Sequence, residues 1–295
     1  MGVRFYFEPK LEKPDLIAAW IGIGNVGLTA VDTLRRLTDA TLFAEIEPWD
    51  YYYPQTVVIK DGELKDLVFP GGKFYCKRVE DRDLVFFVGE EQADEAKRSH
   101  EMANLVLDVA SNLGCQRLYV VAAAVSPIHH TARPRIWAVP NRSELLDEVK
   151  GYANTVLMSG IESRGGQGSI TGLNGLLLGV AKARELPAIC LMGEVPVYVS
   201  QLPLLYPRAS KSVLEVLAAR LGIEVDLSSL DKLAEEVEQS IEAFYDKMPQ
   251  EIKQRIDQLK QVGEAREAEA RPFTDEDKKR IVQEVEEFFK GGGRH

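Results

Sequence analysis

The chain has 295 residues, 45% of them hydrophobic, and a formal net charge of -10 at pH 7. This length is sufficient for one large domain with an extension, or for two modest domains. The acidic balance argues against a general nucleic-acid-binding protein, which needs a concentrated basic surface. The three cysteines, Cys76, Cys115 and Cys190, are far apart among apolar neighbours, so we expect reduced core thiols rather than disulfides.

Neither a membrane segment nor a signal peptide is expected. No apolar run approaches the ~20 residues of a membrane helix, and the N-terminal residues lack the apolar segment of a signal peptide. We therefore expect a cytoplasmic protein that is not bound to a membrane.

The chain begins with a pattern of strand, turn and helix between Leu16 and Leu37. Residues 16–21 form an apolar run that is typical of a strand buried on both faces of a parallel sheet. From Leu28 the apolar residues recur every third position, which places them on one stripe of a helix. The turn between strand and helix has the pattern G-x-G-x-x-G and contains Gly22, Gly24, Asn25 and Gly27.

Such a turn has two interpretations. Its glycines and the following helix N-terminus suit a bound phosphate, but a strand that turns sharply into a packed helix needs glycines without any ligand. Glu45 or Glu47, at the end of a second predicted strand (41–46), has about the spacing at which dinucleotide-binding proteins hold a ribose. A solvated strand end explains these carboxylates equally well.

An aromatic cluster follows in a predicted loop, formed by Trp49, Tyr51, Tyr52 and Tyr53. These residue types anchor protein interfaces when exposed, and packing over a sheet edge is the alternative. Residues 56–69 then have the signal of a β-hairpin, with an Asp-Gly turn at 61–62, and a third short strand is predicted at 73–78. This antiparallel excursion replaces the crossover helix of a dinucleotide-binding fold.

Strands and helices alternate through most of the following chain. Strands are predicted at 84–88, 118–125, 136–139 and 187–192, and helices at 90–113 and 176–183. This alternation is typical of an α/β protein, and we predict a three-layer αβα sandwich with a mainly parallel mixed sheet and a β-hairpin excursion.

A second glycine-rich segment, residues 159–179, precedes the predicted helix at 176. Loops at the carboxyl ends of parallel strands converge, so we expect this loop and the first glycine turn to face one cleft. The candidate residues for an anion or ligand there are Gly22, Gly24, Asn25, Gly27, Gly168, Ser169, Thr171, Asn174 and Glu194. Ser169, Thr171 and Asn174 could hydrogen-bond a ligand or cap the helix.

Catalytic and metal sites are not indicated. His129 and His130 are adjacent in a loop without a nearby carboxylate or cysteine, so we expect no metal site. No nucleophile elbow, Walker loop, H-E-x-x-H or paired C-x-x-C motif occurs. We therefore predict no cofactor and favour a protein that is not an enzyme.

The sequence pattern changes after Gly222. We therefore predict a domain boundary at 225, with an αβα domain at 1–225 and a C-terminal helical extension at 226–295. Apolar residues step by three and four between 230 and 248, as in an amphipathic helix that Ser228 or Ser229 could cap. A second helix is predicted to end at Gly263, and a third to begin near Thr274. Their apolar stripes could cover each other, the α/β domain or another subunit.

The chain resembles the proteasome assembly chaperone 2 family over about residues 5–245. The most specific resemblance is in residues 172–198, which combine a Gly-x-Asn-Gly helix start, an apolar helix, a short strand, Gly-Glu and Pro-x-Tyr. The resemblance implies a Rossmann-like αβα fold, similar to that of nucleoside phosphorylases. It also implies a protein that self-associates, as family members do, and that assists assembly of proteasome α-rings. It implies no catalytic residues. Archaeal members can dock on proteasomes through a hydrophobic-Tyr-any tail, whereas this sequence ends Gly-Arg-His, so such docking is not expected.

Three functional hypotheses follow. The first is a non-enzymatic homo-oligomer that binds partner proteins, such as proteasome subunits, with apolar contacts from residues 49–53 or 203–207. The alternative is a nucleotide- or nucleoside-binding enzyme or sensor that uses the glycine loops at 22–27 and 165–175. In the third, the C-terminal helices form a coiled-coil module for a partner.

Overall fold

A computed structural model of the chain describes residues 2–79, 82–93, 95–157 and 168–266, with side chains up to residue 260. The strands are β1 (Val3–Phe5), β2 (Asp15–Trp20), β3 (Thr41–Ile46), β4 (Thr56–Lys60), β5 (Glu63–Val68), β6 (Gly72–Lys77), β7 (Leu84–Gly89), β8 (Arg117–Ser126), β9 (Ile136–Pro140), β10 (Thr155–Leu157) and β11 (Ala188–Pro196). The helices are α1 (Val26–Leu37), α2 (Ala96–Asn112), α3 (Leu146–Lys150), α4 (Gly172–Ala183), α5 (Pro207–Leu221), α6 (Ser228–Asp246) and α7 (Gln250–Arg266).

Nine of the described strands form one mixed sheet in the order β1-β3-β6-β7-β2-β8-β11-β9-β10. The central strands β7, β2, β8 and β11 are parallel, whereas β6 and β9 run antiparallel to their neighbours β7 and β11. Every residue of β2, β7 and β11 is buried because helices cover both faces of the sheet. The predicted α/β fold with a mainly parallel mixed sheet is therefore confirmed.

Side chains alternate between two hydrophobic clusters, one on each face of the sheet. Along β2, Ile17 and Ala19 point into the cluster that contains α1 and α5, while Leu16, Ala18 and Trp20 point into the cluster of α2 and α4. The period of two along a strand produces the three layers. Each of the three cysteines is free and buried, and burial raises the pKa of the Cys190 thiol to about 12.

The hairpin excursion forms as predicted. Asp61 and Gly62 both adopt positive φ angles, 54° and 81°, as a two-residue type I′ turn requires. The strands β4 and β5 pair only with each other among the described residues. The chain then returns through β6, which enters the main sheet between β3 and β7.

The helices α6 and α7 pack on the α/β body. Leu230 and Ile241 of α6 belong to the same hydrophobic cluster as Leu214 of α5. Two expectations for these helices are wrong. α7 continues through Gly263 to Arg266, since one glycine costs a helix only about 1 kcal/mol. Ser228 and Ser229 do not cap α6.

The residue that binds the start of α6 is Asp226, whose Oδ1 accepts the Ser228 N–H at 2.9 Å. The predicted third helix from Thr274 lies outside the described residues, and the division at residue 225 stays a prediction. Among the described helices, none combines the length and the apolar character that crossing a bilayer demands.

Candidate functional site

A cavity of about 340 Å³ lies at the carboxyl edge of the sheet, where β2, β8 and β11 end. Of the predicted ligand residues, four line it: Gly22, Ser169, Thr171 and Asn174. The structure thus brings the first glycine turn and the start of α4 to one cavity, as expected from a parallel sheet. Gly24, Asn25, Gly27, Gly168 and Glu194 are not among the lining residues.

The protein itself fills the space beside two glycines of the first turn, Gly24 and Gly27. Gly24 has a positive φ of 57°, and its carbonyl accepts the Tyr206 N–H at 2.8 Å. A Cβ at Gly24 would lie 2.9 Å from the Tyr206 Cβ, and a Cβ at Gly27 would lie only 2.2 Å from the Val121 carbonyl oxygen. The buried Tyr206 and strand β8 therefore fill the space that these two glycines leave.

The rest of that turn is held by local backbone bonds. Asn25 adopts a left-handed conformation, with φ 48°, immediately before α1, and its N–H donates to the Gly22 carbonyl at 2.9 Å. Gly22 is exposed, and the nearest atom to a Cβ there is the Asn174 Nδ2 at 4.0 Å. Within the turn, Gly22 is thus the glycine that faces open space at the cavity.

Gln92 closes the start of α4, although no sequence motif marks this residue. Its Oε1 accepts the Leu173 N–H at 3.0 Å, and its Nε2 donates to the Ile21 carbonyl at 2.6 Å. Thr171 occupies the N-cap position but makes no side-chain cap bond, and Ser169 is exposed beside it. Gln92 therefore ties the two glycine segments together and uses one of the free N–H groups of the helix.

Asn174 neither caps α4 nor points unpaired into the cavity. It is buried, its Oδ1 accepts the Trp20 N–H at 3.0 Å, and its Nδ2 donates to the Trp20 carbonyl at 3.4 Å. The pairing of β2 with β8 ends at Ala18, so the Trp20 backbone lacks a strand partner on that side. The amide of Asn174 replaces that partner.

Glu194 is a fully buried carboxylate beside the cavity. Its Oε1 accepts from the Ser126 hydroxyl and from the Trp137 indole nitrogen, both at 2.8 Å, and its Oε2 accepts the Arg135 N–H at 3.0 Å. The Arg135 guanidinium completes an ion pair at 3.4 Å. With both oxygens occupied, Glu194 fastens the ends of β8, β9 and β11 and is not placed to accept a ligand proton.

His130 has a carboxylate partner that is distant in sequence. Its Nε2 lies 2.8 Å from Glu242 Oε1 of α6, and its Nδ1 lies 2.6 Å from the Tyr198 hydroxyl. The neighbouring His129 is buried, and this burial together with His130 lowers its pKa to about 4, so its imidazole is neutral at pH 7. Among the described residues, no group of three His, Cys, Asp or Glu side chains could hold a metal ion. The histidines connect α6 to the loop after β8.

The glutamates that could mark a ribose site lie away from the first turn. Three strand spacings separate β3 from β2 in the sheet, which is roughly 14 Å. Glu45 instead forms an ion pair with Arg4 at 3.5 Å. This arrangement removes the geometric support that the spacing of Glu45 and Glu47 lent to dinucleotide binding.

The aromatic cluster divides between core and surface. Tyr52 is buried with its hydroxyl 3.5 Å from the Met102 sulfur, and Tyr51 is half-buried. Trp49 and Tyr53 are 71% and 67% exposed. The centroid of the Trp49 ring lies 4.6 Å from that of Phe69, the residue after β5. Tyr52 therefore packs in the core, whereas an interface role for the exposed Trp49 and Tyr53 stays a prediction.

The hairpin next to this cluster is exposed on both faces. All five residues of β4 are exposed, and so are all residues of β5 except Leu67. We define the hairpin surface as the exposed large apolar side chains of this region, namely Trp49, Tyr53, Val57, Val58, Ile59, Leu64 and Val68. Strand patterning cannot find such a surface, because it shows that a hairpin forms but not whether another element covers it.

Comparisons with known proteins agree with this fold. A family model described as the PAC2 family matches residues 16–244. A Methanocaldococcus jannaschii protein, itself described as uncharacterised, is 29% identical over 236 residues, which are 80% of this chain and 84% of the relative.

Solved structures are similar over most of their length. PbaB of Pyrococcus furiosus, described as an archaeal proteasome activator, is 26% identical, with a TM-score of 0.69 over 82% of this chain and 98% of that one. A PAC2 family protein of Streptomyces avermitilis is 25% identical, with a TM-score of 0.64 over 79% and 97% of the two chains. A Mycobacterium tuberculosis proteasome-assembly chaperone homologue, 21% identical, shares the fold, with a TM-score of 0.65 over 83% and 99%. Because the family model spans well over half of its 295 residues, the chain belongs to the PAC2 family.

Proposed function

We propose that this PAC2 family protein is not an enzyme but a self-associating, chaperone-like protein of the cytoplasm that binds other proteins through the hairpin surface. The observation that carries the proposal is the exposure of seven large apolar side chains around one two-stranded hairpin. Large exposed apolar side chains that are concentrated in one region of a folded protein mark interaction sites.

The composition of the hairpin surface supports this function. Trp49 and Tyr53 are of the residue types that dominate binding energy at protein interfaces, and both are more than half exposed. Burying a large apolar side chain on contact stabilises a complex by roughly 1–3 kcal/mol. The side chains at the carboxyl edge, by contrast, largely satisfy one another.

The partner that the relatives suggest is a proteasome subunit. PbaB is described as a proteasome activator, and other structural neighbours as proteasome-assembly chaperone homologues. We propose that this protein likewise contacts proteasome subunits, in addition to copies of itself.

The test compares the wild-type protein with the double variant Trp49→Ala/Tyr53→Ala. Light scattering measures self-association, and a separate binding assay uses purified archaeal proteasome α-subunits. Tyr6→Ala is the control, because Tyr6 is also about half exposed but lies outside the hairpin surface. We expect the double variant to weaken complex formation and the control to retain it. A wild-type protein that is monomeric and binds no α-subunit would refute the proposal.

A small-molecule function is the second candidate, and the cavity of about 340 Å³ with its exposed Gly22, Ser169 and Thr171 supports it. A ligand that binds only the folded protein raises its melting temperature. A clear shift with millimolar NAD, ATP, a nucleoside or phosphate would favour this candidate over the first.

A further inference from the structure

The hairpin leaves two strand edges without a partner. β4 and β5 form a sheet of two strands, and neither pairs with another described strand. An isolated two-stranded hairpin is marginally stable in water, whereas three or more strands with an apolar face are stable. Since every residue of β4 is exposed, no described segment of the chain covers this strand.

The two edges differ in their protection against pairing. β5 carries Glu63, Lys65 and Asp66, and its register with β4 skips Lys65, which forms a bulge between the pairs Val58–Asp66 and Ile59–Leu64. Charges and bulges are the devices that protect edge strands. β4 has the sequence Thr-Val-Val-Ile-Lys, has no bulge, and bears its single charge at the last residue. The edge of β4 is therefore the one open to another strand.

We propose that the β4 strands of two copies of this chain pair antiparallel across a two-fold axis, which joins the two hairpins into one four-stranded sheet. This inference rests on the proposed self-association and assigns it to a strand edge.

The β4 sequence is compatible with itself in this arrangement. Overlap along the full strand places Val58 opposite the partner subunit's Val58, Val57 opposite the partner's Ile59, and Thr56 opposite the partner's Lys60. No like charges then face each other, and Val57 and Ile59 of both strands form one apolar cluster on the same face of the sheet. An isologous contact needs this self-complementarity, and a contact with a different protein does not. The occupant that the edge favours is thus a second copy.

The two-fold axis at residue 58 provides a specific test. Val58 is 42% exposed, so solvent reaches a charge there, and its cross-strand neighbour within the hairpin is Asp66, which pairs with Lys at position 58 and faces Asp there as a like charge. In Val58→Lys, and equally in Val58→Asp, two like charges meet on the axis. We therefore expect the dissociation constant for self-association to rise by about tenfold or more. Mixing the two variants places Lys opposite Asp, and we expect association to return.

The experiment measures copy number by analytical ultracentrifugation for the wild type, each Val58 variant, their equimolar mixture and the control Leu37→Lys. Leu37 is 43% exposed at the end of α1, so the control makes the same kind of change at the same exposure but lies outside the hairpin surface. We expect an even copy number for the wild type and for the control, dissociation of each Val58 variant, and assembly of the mixture. Circular dichroism verifies that each variant is folded.

The outcomes separate this inference from the proposed function. A monomeric wild type refutes the β4 pairing and the self-association of the proposed function, and α-subunit binding tests the rest of that function separately. An assembly that survives both Val58 substitutions, that has an odd copy number, that dissociates only with Leu37→Lys, or that the mixture does not restore overturns β4 pairing while self-association stands.

Discussion

Gly27→Ala is the substitution that best tests whether the first glycine turn is a packing device. Gly27 is the second residue of α1, where the helix crosses β8. A Cβ at this position would lie 2.2 Å from the Val121 carbonyl oxygen, 2.8 Å from the Val121 carbonyl carbon and 3.2 Å from the Ala19 Cβ. Two of these atoms belong to the backbone of a central strand, so a side-chain rotation cannot relieve the clash, and α1 must move away from the sheet.

The magnitude follows from two opposing effects. Overpacking a buried contact typically costs about 1–3 kcal/mol, and occasionally more. Because the clashing partners here are rigid backbone atoms, we expect a cost at the upper end of this range, about 3 kcal/mol. Replacing glycine by alanine in a helix returns about 0.5–1 kcal/mol. The free energy of unfolding should therefore fall by about 2–3 kcal/mol, which lowers the melting temperature by roughly 4–12 °C for a domain of this size.

Urea and thermal unfolding of Gly27→Ala and Gly22→Ala form the matched pair. Gly22 belongs to the same turn, but it has an extended φ of -168° and no atom closer than 4.0 Å to its missing Cβ. We expect Gly22→Ala to change stability by less than about 0.5 kcal/mol. If Gly27→Ala proves as stable as Gly22→Ala, the close packing of α1 on β8 is not what requires glycine, and the ligand interpretation of the turn regains support.

Three further substitutions test the polar and apolar contacts that hold the site. His129→Asn should reduce the acid sensitivity of the fold. His129 takes up a proton near pH 6.5 in the unfolded chain but only near pH 4 in the native protein. Protonation of the unfolded chain therefore lowers the free energy of unfolding of the wild type by about 2 kcal/mol at pH 5 and has no effect at pH 8. Ile241→Ala should lower the free energy of unfolding by about 3 kcal/mol, because Ile241 lies on the fully buried face of α6, whereas Gln239→Ala on the exposed face of the same helix should leave it unchanged. Glu194→Gln should cost about 2 kcal/mol, because an amide nitrogen then faces hydrogen-bond donors and Arg135 loses its countercharge.

Each of these expectations has a contradicting result in urea denaturation. An equal loss of stability between pH 8 and pH 5 for His129→Asn and the wild type would exclude a buried neutral imidazole. Equal effects of Ile241→Ala and Gln239→Ala would show that α6 is not part of the hydrophobic core. A Glu194→Gln variant as stable as the wild type would mean that neither the charge nor the second acceptor oxygen of this carboxylate is needed to hold the strand ends.

Much of the fold could be predicted because its signals are local. The apolar run before Gly22 and the three-residue period after it predicted β2 and α1 within two residues of their observed bounds. The Asp61-Gly62 pair predicted the hairpin because a type I′ turn requires positive φ at both residues. The expected end of a helix at Gly263 was wrong because a single glycine is a weak stop signal that neighbouring helical residues override.

The candidate site was predicted less completely, because its partners are far apart along the chain. Convergence of strand ends correctly brought Gly22 and Asn174 to one cavity. Gln92 reaches Ile21 across 71 residues, and His130 meets Glu242 across 112, and no periodicity or spacing rule joins such pairs. Ligand binding and helix capping were therefore the hypotheses for polar residues whose observed partners are protein backbone and buried side chains.

The sequence by itself determined the alternation of strands and helices, the hairpin and the family resemblance, because backbone preferences and hydrophobic periodicity act over a few neighbouring residues. Only the tertiary structure decided that Tyr206 fills the space beside Gly24, that α6 packs on the α/β body, and that no described segment covers β4. These features depend on which surfaces meet after the sheet has formed. Burial and its absence are properties of the packed molecule and not of any one segment.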